Sequence, residues 1–387
     1  LADEMVGLAM VLLTLSRTGR PVLAGALVTA YTLPALASGP VLGAWLDRTR
    51  HRRPALMANL AVLAAAAVGI AASLGRAPVA VPLLLAGVAG VTLPMTSGGF
   101  TSLLPRLVPP DRLGRANAVD AVTFNTAAVA GPALAGALAA LAGPATALVA
   151  VALAASAGLV ATAGVPVPSP VADRSAGSTL LTRVRAGLRH LLRTAALRGA
   201  TLTTVLGHGA VGVLTVALPL FTRDLGAGTE GAGLLWGALE AGCLAASLGL
   251  AFRPLSARPQ RVVYTATALF GLAIAGWPLA GSMAVAAVLV ALAGAASGPV
   301  LPAIFAVRQR YAPADLLAQV STTGASLKIG GYAIGASIGG LIVPALGPTT
   351  TIALVAAAEL AAAGLGALLG RPTRSPGRST AEIRVLS

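Results

Sequence analysis

From Ala55 to Leu74 the chain runs for twenty residues without one ionisable group, and stretches of this kind recur from end to end. About twenty apolar residues in a row is the length of helix that crosses the roughly 30 Å of hydrocarbon in a bilayer. A chain built from such stretches has too little polar surface to face water on all sides. With 56% hydrophobic residues, 10% charged residues and a mean hydropathy of +0.86, a soluble globule is excluded. The fold class that follows is an all-α polytopic membrane protein, and its immediate partner is the lipid bilayer.

Twelve spans can be marked off: Met5 to Leu15, Val22 to Leu46 with soft breaks at Pro34 and Pro40, Ala55 to Leu74, Val79 to Leu104, Ala116 to Leu141, Ala145 to Val165, Ala200 to Phe221, Ala232 to Phe252, Val262 to Ala280, Met283 to Ala306, Leu317 to Leu346 and Thr350 to Leu369. The first is only eleven residues and reads as half a helix. Because Leu1 is not a methionine, the given chain is expected to lack the start of its first helix. Asp3 and Glu4 then lie inside that span, roughly 17 Å back from Leu15 and near the bilayer centre. In a chain that starts at Leu1 they would instead flank the membrane.

Six spans precede a long interruption and six follow it. Residues 1–165 form an N-terminal bundle, 166–199 a linker, 200–370 a C-terminal bundle and 371–387 a polar tail expected to be disordered. The linker opens on Pro166, Pro168 and Pro170. It continues as an amphipathic stretch with Leu180, Val184, Leu188, Leu191, Leu192 and Ala195 on one face and Arg185, Arg189 and Arg193 on others. Such a helix is expected to lie on the membrane surface. If loops alternate sides, one set carries 22 arginines and the other four, which places both termini in the cytoplasm. The net charge of +15 would suggest nucleic acid in a soluble protein, but aromatic residues are only 3% and the bases sit between spans. They read as topology signals, and no nucleic-acid partner is expected. The single cysteine, Cys243, excludes a disulfide framework and a cysteine metal site. No P-loop, HExxH or paired aspartate-rich motif is present, so neither ATP-driven transport nor membrane catalysis is supported, and no metal is expected.

Two sequence features go beyond composition. The loop GAWLDRTRHRRP, Gly43 to Pro54, places a glycine one turn before Asp47 and Arg48 and closes on Arg50, Arg52 and Arg53. By itself this is a basic loop that stops a helix. The second feature is a repeat. RLVPPDRLGRAN from Arg106 is echoed by RQRYAPADLLAQ near Arg308, and GPALAG at Gly131 by GASIGG at Gly335, with Asp111 to Asp315 and Gly131 to Gly335 both 204 residues apart. Loop, repeat, linker and span count together resemble the major facilitator superfamily. Gly43, Asp47, Arg48, Arg52 and Arg53 fit the family's loop between its second and third helices, although Arg50 stands where a second glycine is usual. The equivalent loop of the second half, Arg253 to Arg261, keeps the bases and lacks the aspartate.

That resemblance implies a twelve-helix fold of two six-helix bundles related by a pseudo-two-fold axis. It also implies a substrate site between the halves at the midplane, secondary transport of a small molecule without a cofactor beyond the proton gradient, and a monomer in the bacterial cytoplasmic membrane. Gly131, Pro132 and Gly136 match the end of the family's antiporter signature in the fifth helix, with Ala135 replacing one glycine and Ala127 another. Export of the drug or metabolite type is the implied direction, with Gly131, Pro132 and Gly136 as a hinge.

Ionisable groups in hydrocarbon are the remaining signal, since each costs on the order of 3 kcal/mol to insert. Asp3 or Glu4 and Glu240 are the candidates for proton coupling and for attracting cations. Lys328 is either a counter-charge to Glu240 or an anion hook, and the Glu240 and Lys328 pair could equally be a structural ion pair. His208 reads as a packing residue or a proton relay, and Asn125 as a cavity residue. Glu359 reads as a partner for a neighbouring helix. Asp120 is expected to pair with the bases around Asp47 and Arg48 and so, with Gly43, Asp47, Arg48, Arg52 and Arg53, to form a cytoplasmic gate. Proton-coupled efflux of small amphipathic or cationic compounds is the function these residues favour. Import of a nutrient, or a receptor or enzyme without transport, stay open.

Overall fold

The structure is a computed structural model that describes residues 1–165, 179–228, 231–251 and 258–371. All regular elements among the described residues are helical. The N-terminal half holds α1 (Ala2–Thr18), α2 (Pro21–Arg48), α3 (Arg52–Ser73), α4 (Ala80–Gly99), α5 (Leu113–Ala142) and α6 (Pro144–Gly164). A linker helix follows, α7 (Leu180–Arg193). The C-terminal half holds α8 (Ala195–Asp224), α9 (Gly231–Ala251), α10 (Pro259–Ile274), α11 (Met283–Tyr311, interrupted at 298–299), α12 (Leu317–Leu346) and α13 (Pro348–Leu369). Among the described residues eleven helices are long and apolar enough to cross a membrane, and α1, at seventeen residues, packs with them as the twelfth. The linker residues before 179, the 252–257 part of the second-half loop and the tail from 372 lie outside the described residues.

Each half has its own apolar core. In the first, Met5, Met10, Leu27, Ile70 and Leu148 are fully buried between α1, α2, α3 and α6; in the second, Leu214, Leu218, Trp277 and Ile352 play that part. The 204-residue repeat is carried by the architecture. α5 and α12 have equal length, and each ends in a glycine with φ of +93° or +79° before a proline opens the next helix. The paired glycines do the same job in both halves. A side chain at Gly131 would come within 2.7 Å of Glu4 Cβ on α1, and one at Gly335 within 2.6 Å of the Gly209 carbonyl carbon on α8, so each permits its helix to press on the first helix of its own bundle.

One expectation is corrected. Pro34 and Pro40 do not break the second span, because α2 runs unbroken through both. The linker helix packs part of its leucine face, at Leu191, against the bundle. It is capped by Thr179, whose Oγ1 accepts from the Thr182 N–H, and it packs on the ends of α2, α12 and α8, burying Arg183, Gly187 and Leu191 while Leu192 stays exposed. Gly187 sets the fit, since a side chain there would strike that of Gln319. The end of the bundle that carries α7 is called the linker face below.

Candidate functional site

The two halves meet along two seams, α2 against α12 and α5 against α9. Between them lies a cavity of about 230 Å³. Its polar lining includes Glu4 on α1, Asn125 on α5, Thr204 and His208 on α8, Glu240 and Cys243 on α9, and Lys328 on α12. Arg308 on α11 adds to it, and its apolar lining includes Phe124, Leu301, Ile304 and Phe305. Glu4, Asn125, His208, Glu240 and Lys328 are thus brought together from segments up to 324 residues apart.

Asp3 goes elsewhere. It follows the same backbone one position earlier, a rotation of about 100° on a helix, and turns to α2, where it accepts a hydrogen bond from the Tyr31 hydroxyl. His208 Nδ1 lies 3.1 Å from the Thr204 carbonyl; since a carbonyl only accepts, the proton sits on Nδ1. Asn125 donates to Ser247 Oγ across the α5–α9 seam at 3.0 Å. Glu240 and Lys328 share the cavity without forming an ion pair among the described residues. Glu359, outside it, is buried against Gly207 and Gly271, and its Oε1 lacks a hydrogen-bond partner among the described residues.

The linker face is closed. Asp47, only 5% exposed, reaches from α2 to the first turn of α12, where its two carboxylate oxygens accept the N–H groups of Ala318 (3.0 Å) and Gln319 (2.8 Å). These are among the N–H groups a helix start leaves without an internal partner, and they sit at the positive end of its dipole. Arg52 is buried beneath, donating to the carbonyls of Leu46 (2.7 Å) and Asp47 (2.9 Å). The helices approach this closely because Gly43 has no side chain; a Cβ there would collide with Gln319 Cα. Thr322 Oγ1 then donates to the Gly39 carbonyl at 2.6 Å. A π-helical turn, Met95–Gly99, brings Gly98 against the Thr322 backbone nitrogen as well. Elsewhere between the halves Asn117 on α5 and Gln309 on α11 exchange amide hydrogen bonds at 2.7 and 2.8 Å, and Arg106 donates to the Ala314 carbonyl at 2.9 Å. Partial burial lowers the Arg106 pKa, and the nearby Asp47 carboxylate raises it back in part.

Several gate expectations change. Asp120 accepts a hydrogen bond from Thr101 Oγ1 at 2.9 Å and, among the described residues, forms no ion pair with the bases near Asp47. Arg48 and Arg53 are exposed, so Arg52 alone of that cluster is buried in the gate. Gly131 on α5 is a contact position against α1, Pro132 lies within an unbroken α5, and a side chain at Gly136 would meet nothing within 4 Å. Sequence reasoning missed the acceptor role of Gly39, the donors on α12 and, above all, Arg308. That residue counts as a loop base by position but is 5% exposed and lines the cavity.

All described side-chain hydrogen bonds between the halves lie in the part of the bundle nearer the linker face, while side chains at Gly25 on α2 and Gly340 on α12, near the opposite face, would meet nothing. The polar contacts described between the halves therefore close the cavity on the linker-face side.

The comparisons agree with this geometry. A profile of the Major Facilitator Superfamily matches residues 1–328. The uncharacterized MFS-type transporter y4rN of Sinorhizobium fredii (strain NBRC 101917 / NGR234) is 30% identical over 354 residues, 89% of this chain and 85% of that one. The multidrug efflux pump Tap of Mycolicibacterium fortuitum is 26% identical over 346 residues, 87% and 84% of the two chains. Among solved structures the human organic anion transporter MFSD10 superposes with a TM-score of 0.73 at 17% identity, covering 93% of this chain and 89% of its own, a likeness of fold. The chain is a multi-pass membrane protein and belongs to the major facilitator superfamily of secondary transporters.

Proposed function

We propose that this transporter expels small amphipathic or cationic compounds from the bacterial cytoplasm in exchange for protons. One observation carries the reading: Glu4 and Glu240, two acids kept inside a membrane-spanning bundle, face the same cavity at the seam between the halves. A carboxylate there can hold a proton or neutralise a substrate's positive charge, but not both at once, and that competition is the coupling an exchanger needs. The weaker resemblance to a multidrug efflux pump supports the direction.

With the arginine-rich loops in the cytoplasm, the closed linker face corresponds to an outward-facing state. Protons arriving from outside displace the cation from Glu4 and Glu240. Release of α12 from Asp47 then opens the cytoplasmic side, where the protons leave and a new substrate enters.

Everted membrane vesicles loaded with a pH gradient test this with ethidium as the cationic amphipath. Gradient-driven ethidium uptake is expected in the native protein and lost in the Glu4→Gln, Glu240→Gln double variant. Undiminished gradient-driven uptake by the double variant would overturn the coupling, and accumulation only in right-side-out vesicles would reverse the direction.

A further inference from the structure

Arg308 presents an unusual balance. Its guanidinium is buried at the cavity, its Nε has no hydrogen-bond partner among the described residues, and its one described bond, from Nη1 to the Ser321 carbonyl, is a long 3.4 Å. No carboxylate pairs with it among the described residues. A buried guanidinium so poorly compensated is costly to keep, and structures keep one where a ligand completes it. Room has been made for it. Gly324 faces the guanidinium, and a Cβ at that position would lie 2.7 Å from Cζ and 3.0 Å from Nε. Lys328 follows Gly324 by four residues on α12, hence on the same helix face, and lines the same cavity.

The cavity thus holds two positive groups, Arg308 and Lys328, and two acids, Glu4 and Glu240, with no direct ion pair between them among the described residues. A ligand with a cation alone leaves Arg308 and Lys328 uncompensated. One with an anion alone leaves the acids so. A molecule with both charges satisfies both, and the aromatic pair Phe124 and Phe305, with ring centroids 6.1 Å apart, offers an apolar wall for its body.

We propose that Arg308, seated on Gly324 with Lys328 one turn away, is the anion-binding pole of the cavity, and that this protein takes amphipathic zwitterions whose carboxylate, sulfonate or phosphate group rests there. The planar fork of a guanidinium suits such oxyanions better than an ammonium does. This rests on the cavity being the transport site proposed above, with the cationic centre of the ligand at Glu4 and Glu240.

Cys243, the chain's single cysteine, lines the cavity and reports on its occupancy. Purified full-length protein is labelled with the neutral reagent methyl methanethiosulfonate in the presence of 1-naphthoate, 1-naphthylmethylamine or 3-(1-naphthyl)alanine, which carry the anion, the cation and both. Naphthylalanine is expected to protect Cys243 best, and naphthoate to protect it measurably. Arg308→Gln should abolish protection by naphthoate and raise the half-protecting concentration of naphthylalanine by about tenfold, leaving naphthylmethylamine unchanged, whereas Arg308→Lys should recover part of the loss. Gly324→Ala, which displaces the guanidinium without removing it, should weaken naphthoate protection too, and it decides the matter should Arg308→Gln not fold. Absence of naphthoate protection in the native protein, or equal protection in Arg308→Gln or Gly324→Ala, overturns the anion pole. Failure of naphthylmethylamine alone to protect would count instead against the cation-export reading and leave the anion pole standing.

Discussion

Replacing Asp47 by asparagine should open the linker face. In the closed state both carboxylate oxygens accept backbone N–H groups at the start of α12, at 3.0 and 2.8 Å, in surroundings from which water is excluded. Asparagine keeps one acceptor but turns its amide N–H₂ toward the other donor. It loses one charge-assisted hydrogen bond, leaves one N–H unsatisfied and forfeits the attraction of a full negative charge to the helix dipole. A charge-assisted bond contributes about 1.5–3 kcal/mol and the dipole term up to about 2 kcal/mol. Once the gate opens, Asp47 and the α12 N–H groups regain water, so most of this difference belongs to the closed state alone. A net shift of about 3 kcal/mol moves the balance between closed and open linker faces by about two orders of magnitude.

Spin labels at positions 50 and 261, in a Cys243→Ser background, measure that balance by double electron–electron resonance. Arg50 and Arg261 are exposed and sit on opposite halves at the linker face. The native protein should give a short distance, and Asp47→Asn a population at a distance several ångströms longer. Asp47→Glu keeps the charge and should fall between them. A distance distribution in Asp47→Asn that superposes on the native one would refute the claim that this cap holds the gate.

Gly43→Leu should open the same face by a different route, since its side chain would collide with the backbone of α12, and the same distance measurement reads it. For the reciprocal amide pair, a double-mutant cycle with Asn117→Ala and Gln309→Ala should give a coupling of about 1 kcal/mol on the open–closed equilibrium; additive effects would mean that the pair is incidental. Glu359→Gln should leave transport intact and change thermal stability little, because the carboxyl lies outside the cavity and Oε1 has no partner to lose among the described residues. A loss of gradient-driven uptake in that variant would place a second proton site in the C-terminal half.

What could be read from the chain follows from the energies involved. The spans were legible because hydrocarbon excludes charge over twenty residues, and the pseudo-symmetry because α5 and α12 preserve both their length and their terminal Gly-Pro across 204 residues. Glu4, Glu240, Lys328 and His208 could be singled out because a polar group in such a setting is too costly to be idle. Direction within the helix was not legible. Asp3 and Glu4 are neighbours, and only the position of α2 with Tyr31 assigns the first to packing while the second faces the cavity.

Arg308 and Asp47 show where one-dimensional reasoning stops. Arg308 follows a run of apolar residues near the end of α11, which is where a topology signal should stand, and nothing local distinguishes it from Arg310, which is exposed. What distinguishes it is Gly324, sixteen residues on and in another helix, whose missing side chain lets the guanidinium stay inside. Asp47 pairs with one base beside it, Arg52 at 3.9 Å, yet the partners that tie it to the other half are backbone N–H groups 271 and 272 residues away. Backbone donors carry no sequence signature, so a gate built from a carboxylate and a helix start constrains the sequence at one end only. The other end needs no more than a helix that begins there and glycines that let it approach. The second-half loop can therefore lose its aspartate while the closed face survives: one carboxylate capping one helix start already ties the two halves together.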